Sequence, residues 1–222
     1  MNNSAKVLIS AFSILATTAS AQLVITEVMS NSDHPGGDAN GDWWELTNTG
    51  GSAVDLTDYY WDDGDGFGVD GAVFPSVNIG AGESIVIVDE GTDNLAGFIA
   101  AWGGGFTAIS RDDFGGDNDF SGLSAGGDQV DLYNSAGGIV DSAVFGDSDG
   151  GGKSFEWDSS GTSLGFSVQG ENGAFIAPGD GAGGTGIDIG SPGVIPEPGI
   201  FGALAGVVAL GFAASRRRIR HN

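Results

Sequence analysis

Three stretches of this chain carry oxygen ligands at spacings that suit a hard cation. "DANGDWWE" sets Asp38, Asn40 and Asp42 at alternate positions, with Gly41 to bend the loop. "DDGDGFGVD" supplies Asp63, Asp65 and Asp70, and "RDDFGGDNDF" supplies Asp112, Asp113, Asp117 and Asp119. Calcium takes about six to eight oxygens on a bending loop, and alternate Asp and Asn with Gly between them deliver such a set. None of the three stretches carries the closing bidentate Glu of an EF-hand. Calcium is the one cofactor to expect, with Asp38, Asn40 and Asp42 as the first choice of ligands. The alternative is a hydrated acidic loop that only keeps the protein in solution.

Covalent catalysis finds little to work with. There is no cysteine, hence no thiolate nucleophile, disulfide framework or Cys-based zinc set. His34 is the one histidine outside the C-terminal tail, so a Ser-His-Asp triad would depend on it alone, and no G-x-S-x-G elbow is present. HExxH and glycine-rich phosphate loops with lysine are absent as well. Carboxylates abound, but a glycosidase needs two of them opposed across a cleft. No catalytic residue is expected, and the chain reads as non-enzymatic.

Short alternating apolar runs must position whatever the loops carry. They fall at 23–29, Trp43–Asn48, Tyr59–Trp61, Ser84–Val88, Gln129–Tyr133 and Ile139–Phe145, with Ser154–Trp157 a weaker case. Turn residues separate them, as in a β-sandwich. In "LVITEVM" strict alternation sets Leu23, Ile25 and Glu27 on one face and Val24, Thr26 and Val28 on the other. Leu95, Phe98, Ile99 and Trp102 follow helical spacing instead. They predict one short helix over an end of the sandwich, capped by Thr92 or Asp93 and stopped at Gly103. Trp43 or Trp44 and Tyr59 or Trp61 should supply the large core rings. Residues 22–178 then form one domain, and "GDGAGGTGIDIGSPG" over 179–193 reads as a flexible spacer.

The two ends of the chain read as addresses. Lys6, an apolar stretch from Val7 and the small-x-small box Ala19-Ser20-Ala21 make residues 1–21 a secretory signal peptide, cut between Ala21 and Gln22. At the other end, Pro196, Glu197 and Pro198 precede an apolar run and then Arg216, Arg217, Arg218 and Arg220. Residues 199–215 suit a short transmembrane helix, and the positive-inside bias leaves the body of the protein outside the membrane. All 30 acidic residues except Glu197 lie in that body, against two basic ones, Arg111 and Lys153. Such a surface repels nucleic acid and anionic lipid, so neither is a partner, and contact with membrane comes through the C-terminal helix.

Two family resemblances follow. Residues 194–222, with Val194-Ile-Pro-Glu-Pro198, the apolar segment and the terminal arginines in order, resemble a PEP-CTERM sorting signal. That resemblance implies an exosortase-type processing enzyme as partner and a cell-surface or matrix location. "LVITEVM" with "DWWELTNTGGSAVDLTDYYWDD", "FPSVNIGAGESIVIVDE", "LSAGGDQVDLYNSAGGIVDSAVFGD" and a closing "GSPG" resemble a lamin-tail domain. It implies an all-β, immunoglobulin-like sandwich. The doublet Trp43-Trp44 departs from the family, where a lone Trp is usual. Glu27 and Glu45 are expected to pair with backbone or with Asn48 near a sheet edge. The whole describes an exported structural or binding protein, associated with extracellular polysaccharide or other surface proteins. Two alternatives stay open: a calcium-dependent adhesion module, or an accessory of a separate hydrolase.

Overall fold

The computed structural model describes residues 22–35, 41–64, 71–115, 122–179 and 186–195. It is mainly β with one short helix. The strands are β1 (Leu23–Met29), β2 (Trp43–Asn48), β3 (Val54–Asp55), β4 (Tyr60–Asp62), β5 (Ala72–Val73), β6 (Asn78–Ile79) and β7 (Ser84–Val88). After α1 (Leu95–Ala101) come β8 (Thr107–Ser110), β9 (Asp128–Tyr133), β10 (Ile139–Phe145), β11 (Phe155–Trp157), β12 (Ser163–Phe166), β13 (Phe175–Pro178) and β14 (Ile187–Gly190). One sheet runs β12-β11-β1-β2-β7-β8 and a second runs β10-β9-β4-β5, while β13-β14 and β3-β6 are two-stranded.

The two larger sheets share one apolar core. Leu23, Ile25, Val28, Trp44, Leu46, Ile85 and Ile87 from the six-stranded sheet meet Trp61, Val130, Leu132, Ala143 and Phe145 from the four-stranded one. Trp44 and Trp61 lie at its centre, with ring centroids 5.4 Å apart. This arrangement is compatible with an immunoglobulin-like sandwich.

The six-stranded sheet is buried on its other face too, which accounts for the double tryptophan. Neighbouring residues of a strand point to opposite faces. Trp44 therefore enters the main core, while Trp43 joins a second cluster with Met29, Val86, Val88, Phe98, Trp102 and Ala177. The Trp43 ring meets Trp102 at 5.6 Å and Phe98 at 6.5 Å, both edge-on. All five residues of β7 are buried, as expected for a strand covered on both sides. Trp43→Ala should cost about 3–5 kcal/mol. Hydrogen exchange should then show α1 deprotected well before β9.

Four expectations change. α1 does not cover an end of the sandwich: it packs on this second face as the crossover between β7 and the parallel β8. Its N-cap is Asn94, with no side-chain cap, rather than Thr92 or Asp93. Its stop is at Gly103, as the sequence implies, with φ +79. In β1 a bulge between Ile25 and Glu27 breaks the alternation, so Leu23, Ile25 and Val28 share the main core and Glu27 turns to the opposite face. Finally, the stretch read as a spacer over 179–193 contains β14, which pairs antiparallel with β13 along four residue pairs. Asp188 and Ser191 in it are fully buried, so the ordered domain runs past Pro178 to at least residue 195.

The leader over 1–21 lies outside the described residues, as do Asp38, Asn40 and the tail with Pro196, Glu197, Pro198, Arg216, Arg217 and Arg218. The expected helix 199–215 lies there too. Among the described residues no helix is long and apolar enough to cross a membrane.

Candidate functional site

The bulge in β1 brings three ionisable side chains together. Glu27 is the paired residue of Glu45 on β2 and of Glu156 on β11. Three carboxylates thus stand abreast across three adjacent strands, all buried, on the face that also carries Trp43. Both Glu27 and Glu45 lie on interior strands rather than near a sheet edge, and neither bonds to Asn48. They do meet backbone, but from a distant part of the chain. Ser191 donates to Glu27 twice, through its N–H to Oε1 at 2.8 Å and its hydroxyl to Oε2 at 2.9 Å. The N–H of Gly193 donates to Glu45 Oε2 at 2.5 Å.

Hydroxyls complete the row. Ser154 donates to Glu27 Oε1 at 2.5 Å and shares a hydrogen bond with Ser167, which donates to Glu156 Oε1 at 2.7 Å. Asn172 donates its side-chain amide to Glu156 Oε2 at 2.8 Å. On the other flank the bulged Thr26 donates to Glu45 Oε1 at 2.6 Å and leads through Thr47 to Ser84. Burial, then the neighbouring Glu45 charge, push the Glu27 carboxyl up to about 8, against the downward pull of Ser154 and Ser191. Burial likewise lifts Glu45 to about 7, despite hydrogen bonds from Thr26, Gly193 and Thr47.

The segment that roofs this row has a sequence suited to the task. In "GSPG", Val194 N–H bonds to Ser191 O at 2.9 Å, with Gly193 at φ +83, the pattern of a type II turn with Pro second and Gly third. Gly190 is required by closeness: a Cβ there would lie 2.9 Å from Glu27 Oε1 and 3.1 Å from the Trp43 ring. From β14, Asp188 reaches the other end of the sheet, accepting from the Ser32 hydroxyl at 2.7 Å and from Asp33 N–H at 2.8 Å. Burial raises its carboxyl to about 6.

Of the first-choice metal ligands, Asp42 alone falls within the described residues. Its Oδ1 accepts the Ser32 N–H at 2.9 Å, and burial pushes the carboxyl up to about 7. This is the setting of a structural acceptor for the loop after β1. Asp63 borders a shallow depression of about 420 Å³ with Gly64, Asp128, Gln129, Val144 and Phe145. Asp112 accepts from Thr92 N–H and Asp113 caps Ser110 N–H. Asp65, Asp70, Asp117 and Asp119 lie outside the described residues, and among those described no three His, Cys, Asp or Glu side chains converge to hold a metal ion. Asp42→Asn separates the two roles. As a structural acceptor it should raise the melting temperature at pH 8, because the amide keeps the Ser32 bond without a buried charge. A calcium ligand would instead lose metal-dependent stabilisation in a melt with and without calcium.

Sequence reasoning missed Glu156, Asp188, Ser191 and Gly193 as members of one network. It also missed Asp62 and Asp131, buried residues paired across β4 and β9 that accept from Gly64 N–H and the Gln129 amide respectively. A period-breaking Glu amid apolar residues was the available signal for Glu27. Nothing local marks the others.

A two-sheet β domain whose carboxylates are bonded into the fold is therefore the class of protein defined so far. The family model for the Lamin Tail Domain matches residues 16–147, and the chain belongs to that family. The match starts inside the segment read as a leader and ends just after β10. β11 to β14 and the "GSPG" turn therefore lie beyond it. No curated protein matches the chain.

Proposed function

We propose that this chain is an exported structural or binding protein, displayed at the cell surface or released into the matrix, with no chemistry of its own. The observation that carries the reading is the use to which the buried carboxylates are put. Glu27, Glu45, Glu156, Asp42 and Asp188 each accept hydrogen bonds from the chain's own N–H, O–H or amide groups, at 2.5–2.9 Å. Groups so committed organise a fold rather than move a substrate's protons, which need an acid or base within reach of a cleft. The acidic exterior suits a hydrated setting, and the immunoglobulin-like sandwich offers open sheet edges at β10 and β12 for partners.

The sorting reading belongs to the same proposal. Pro196-Glu197-Pro198, the apolar run and the arginines supply a PEP-CTERM-like signal for an exosortase-type enzyme, and extracellular polysaccharide or other surface proteins are the partners that this signal suggests. Cell fractionation with intact-mass analysis tests it. The expected product begins at Gln22, or its cyclised form, is recovered from envelope or medium, and lacks Arg216 to Asn222. Recovery from the cytosol with residues 1–21 still attached would overturn the export reading. A surface protein that keeps its arginines would overturn processing alone.

A further inference from the structure

We propose that the carboxylate row and the segment 187–195 form a proton-dependent clasp: with the row protonated the C-terminal segment is held on the sheet, and as the row ionises that segment is released ahead of the rest of the domain. The inference goes beyond the functional reading above and does not depend on it. It starts from placement. Glu156, Glu27 and Glu45 occupy directly paired positions on adjacent strands, where side chains of neighbouring residues stand about 4.5–5.5 Å apart at Cβ. Glu27 and Glu45, side by side and out of water, resist carrying charge together, so a proton is shared between these two.

The groups facing the row supply no positive charge. From β2 and β1 come Glu45, Thr26 and Thr47, from the β11 and β12 side Glu156, Ser154, Ser167 and Asn172, and from the roof Ser191 and the Gly193 N–H. Asp188, the other carboxylate of the roof, accepts from Ser32 and Asp33 and also faces the Asp33 carboxylate and His34. Of the domain's two basic residues, Arg111 pairs with Asp89 and the Lys153 amine lies over the Phe166 ring. Added charge in the row meets only the hydrogen-bond donors of Ser154, Ser191, Gly193, Thr26 and Thr47, and beyond them water.

The roof is the part that can yield. On one side the row is backed by strands that pair with neighbours on both edges, β1 between β2 and β11 and β2 between β1 and β7. On the other side lies a short chain segment held by β13, by two backbone bonds of Ile189 with Gly152 and Ser154, by Asp188 and by its bonds to Glu27 and Glu45 themselves. The cheapest way to hydrate the row is to lift that segment. Because it leads in sequence directly to Pro196-Glu197-Pro198, the clasp sets how closely the domain is held to whatever follows.

Hydrogen exchange on the full-length chain in detergent, with rates corrected for the intrinsic effect of pH, tests this. Between pH 6 and 8.5, protection over 187–195 should fall at least about tenfold, as it would if the held form bound one proton about ten times more tightly than the released form. Protection of β7 and β9 should fall much less. In Glu27→Gln/Glu45→Gln, which removes the titration and keeps acceptors, protection over 187–195 should stay level across that range. A fall shared equally by all strands, no fall, or an undiminished fall in the double variant would each overturn the clasp. If the double variant does not fold, the contrast between 187–195 and β7 in the unaltered chain decides.

Discussion

Truncation after Pro178 should lower the urea midpoint sharply, whereas truncation after Ile195 should leave it unchanged. The shorter form loses Ser191 and Gly193, and with them three hydrogen bonds to Glu27 and Glu45. Hydrogen bonds to charged or chargeable buried groups contribute about 1.5–3 kcal/mol each, so these three represent roughly 5–9 kcal/mol. It also strips β13 of its strand partner β14 and removes the Asp188 carboxylate from Ser32 and Asp33. A domain of ordinary stability has about 5–15 kcal/mol in total. Near-ultraviolet circular dichroism and urea titration of the two forms check the prediction. Equal midpoints would mean that the C-terminal hairpin is ornamental to the fold.

Acidification from pH 8.5 to about 5.5 should stabilise the domain, the reverse of common acid denaturation. Four buried carboxyls set the sign. Folded, Glu27 titrates at about 8, Glu45 and Asp42 at about 7 and Asp188 at about 6, against ordinary values of 4.5 for Glu and 3.8 for Asp. Burial is the leading cause in each. Between the ordinary and the raised value the folded chain binds more protons than the unfolded one, so stability falls as pH rises through that window. The contribution is fully present below about pH 4 and is lost by about pH 8. Each tenfold gain in proton affinity on folding is worth about 1.4 kcal/mol, so the sum is on the order of several kcal/mol, or roughly 10 °C in a domain of this size. Asp55 and Asp158 do not act in this window: both are held below the usual range by their own turns, through Thr57 and Ser160 first, so their contribution is lost only below about pH 4. Calorimetry across pH 5.5–8.5 gives the slope, and Glu27→Gln should flatten it. A melting temperature that climbs with pH would contradict the assignment of these carboxyls.

Much of this architecture was legible beforehand because it rests on short-range pattern. β1, β2, β7 and β10 fall where alternation places them, and α1 stops at Gly103 because only a residue tolerant of positive φ ends that turn cheaply. What alternation could not give is the bulge at Thr26. One unpaired residue reverses every later side chain of the strand, and it exists because β2 and β11 need Glu27 opposite Glu45 and Glu156. The same limit hid the last hairpin. "GDGAGGTGIDIGSPG" has the composition of a spacer, and its order comes from partners far away in sequence, Glu27 and Glu45 above all.

The sequence by itself determined the positions of seven of the fourteen described strands, the single helix, the lack of thiol chemistry, the acidic character of the body and the two terminal segments that resemble addresses. These follow from residue type and from spacings of a few positions. Only the tertiary structure decided that the six-stranded sheet is buried on both faces, that Trp43 and Trp44 serve different cores, and that the acidic residues which matter most are a row drawn from three strands. A carboxylate's role depends on the water taken from it and on the donors turned towards it. For Glu27 and Glu45 the roof that supplies both lies more than a hundred residues away in sequence.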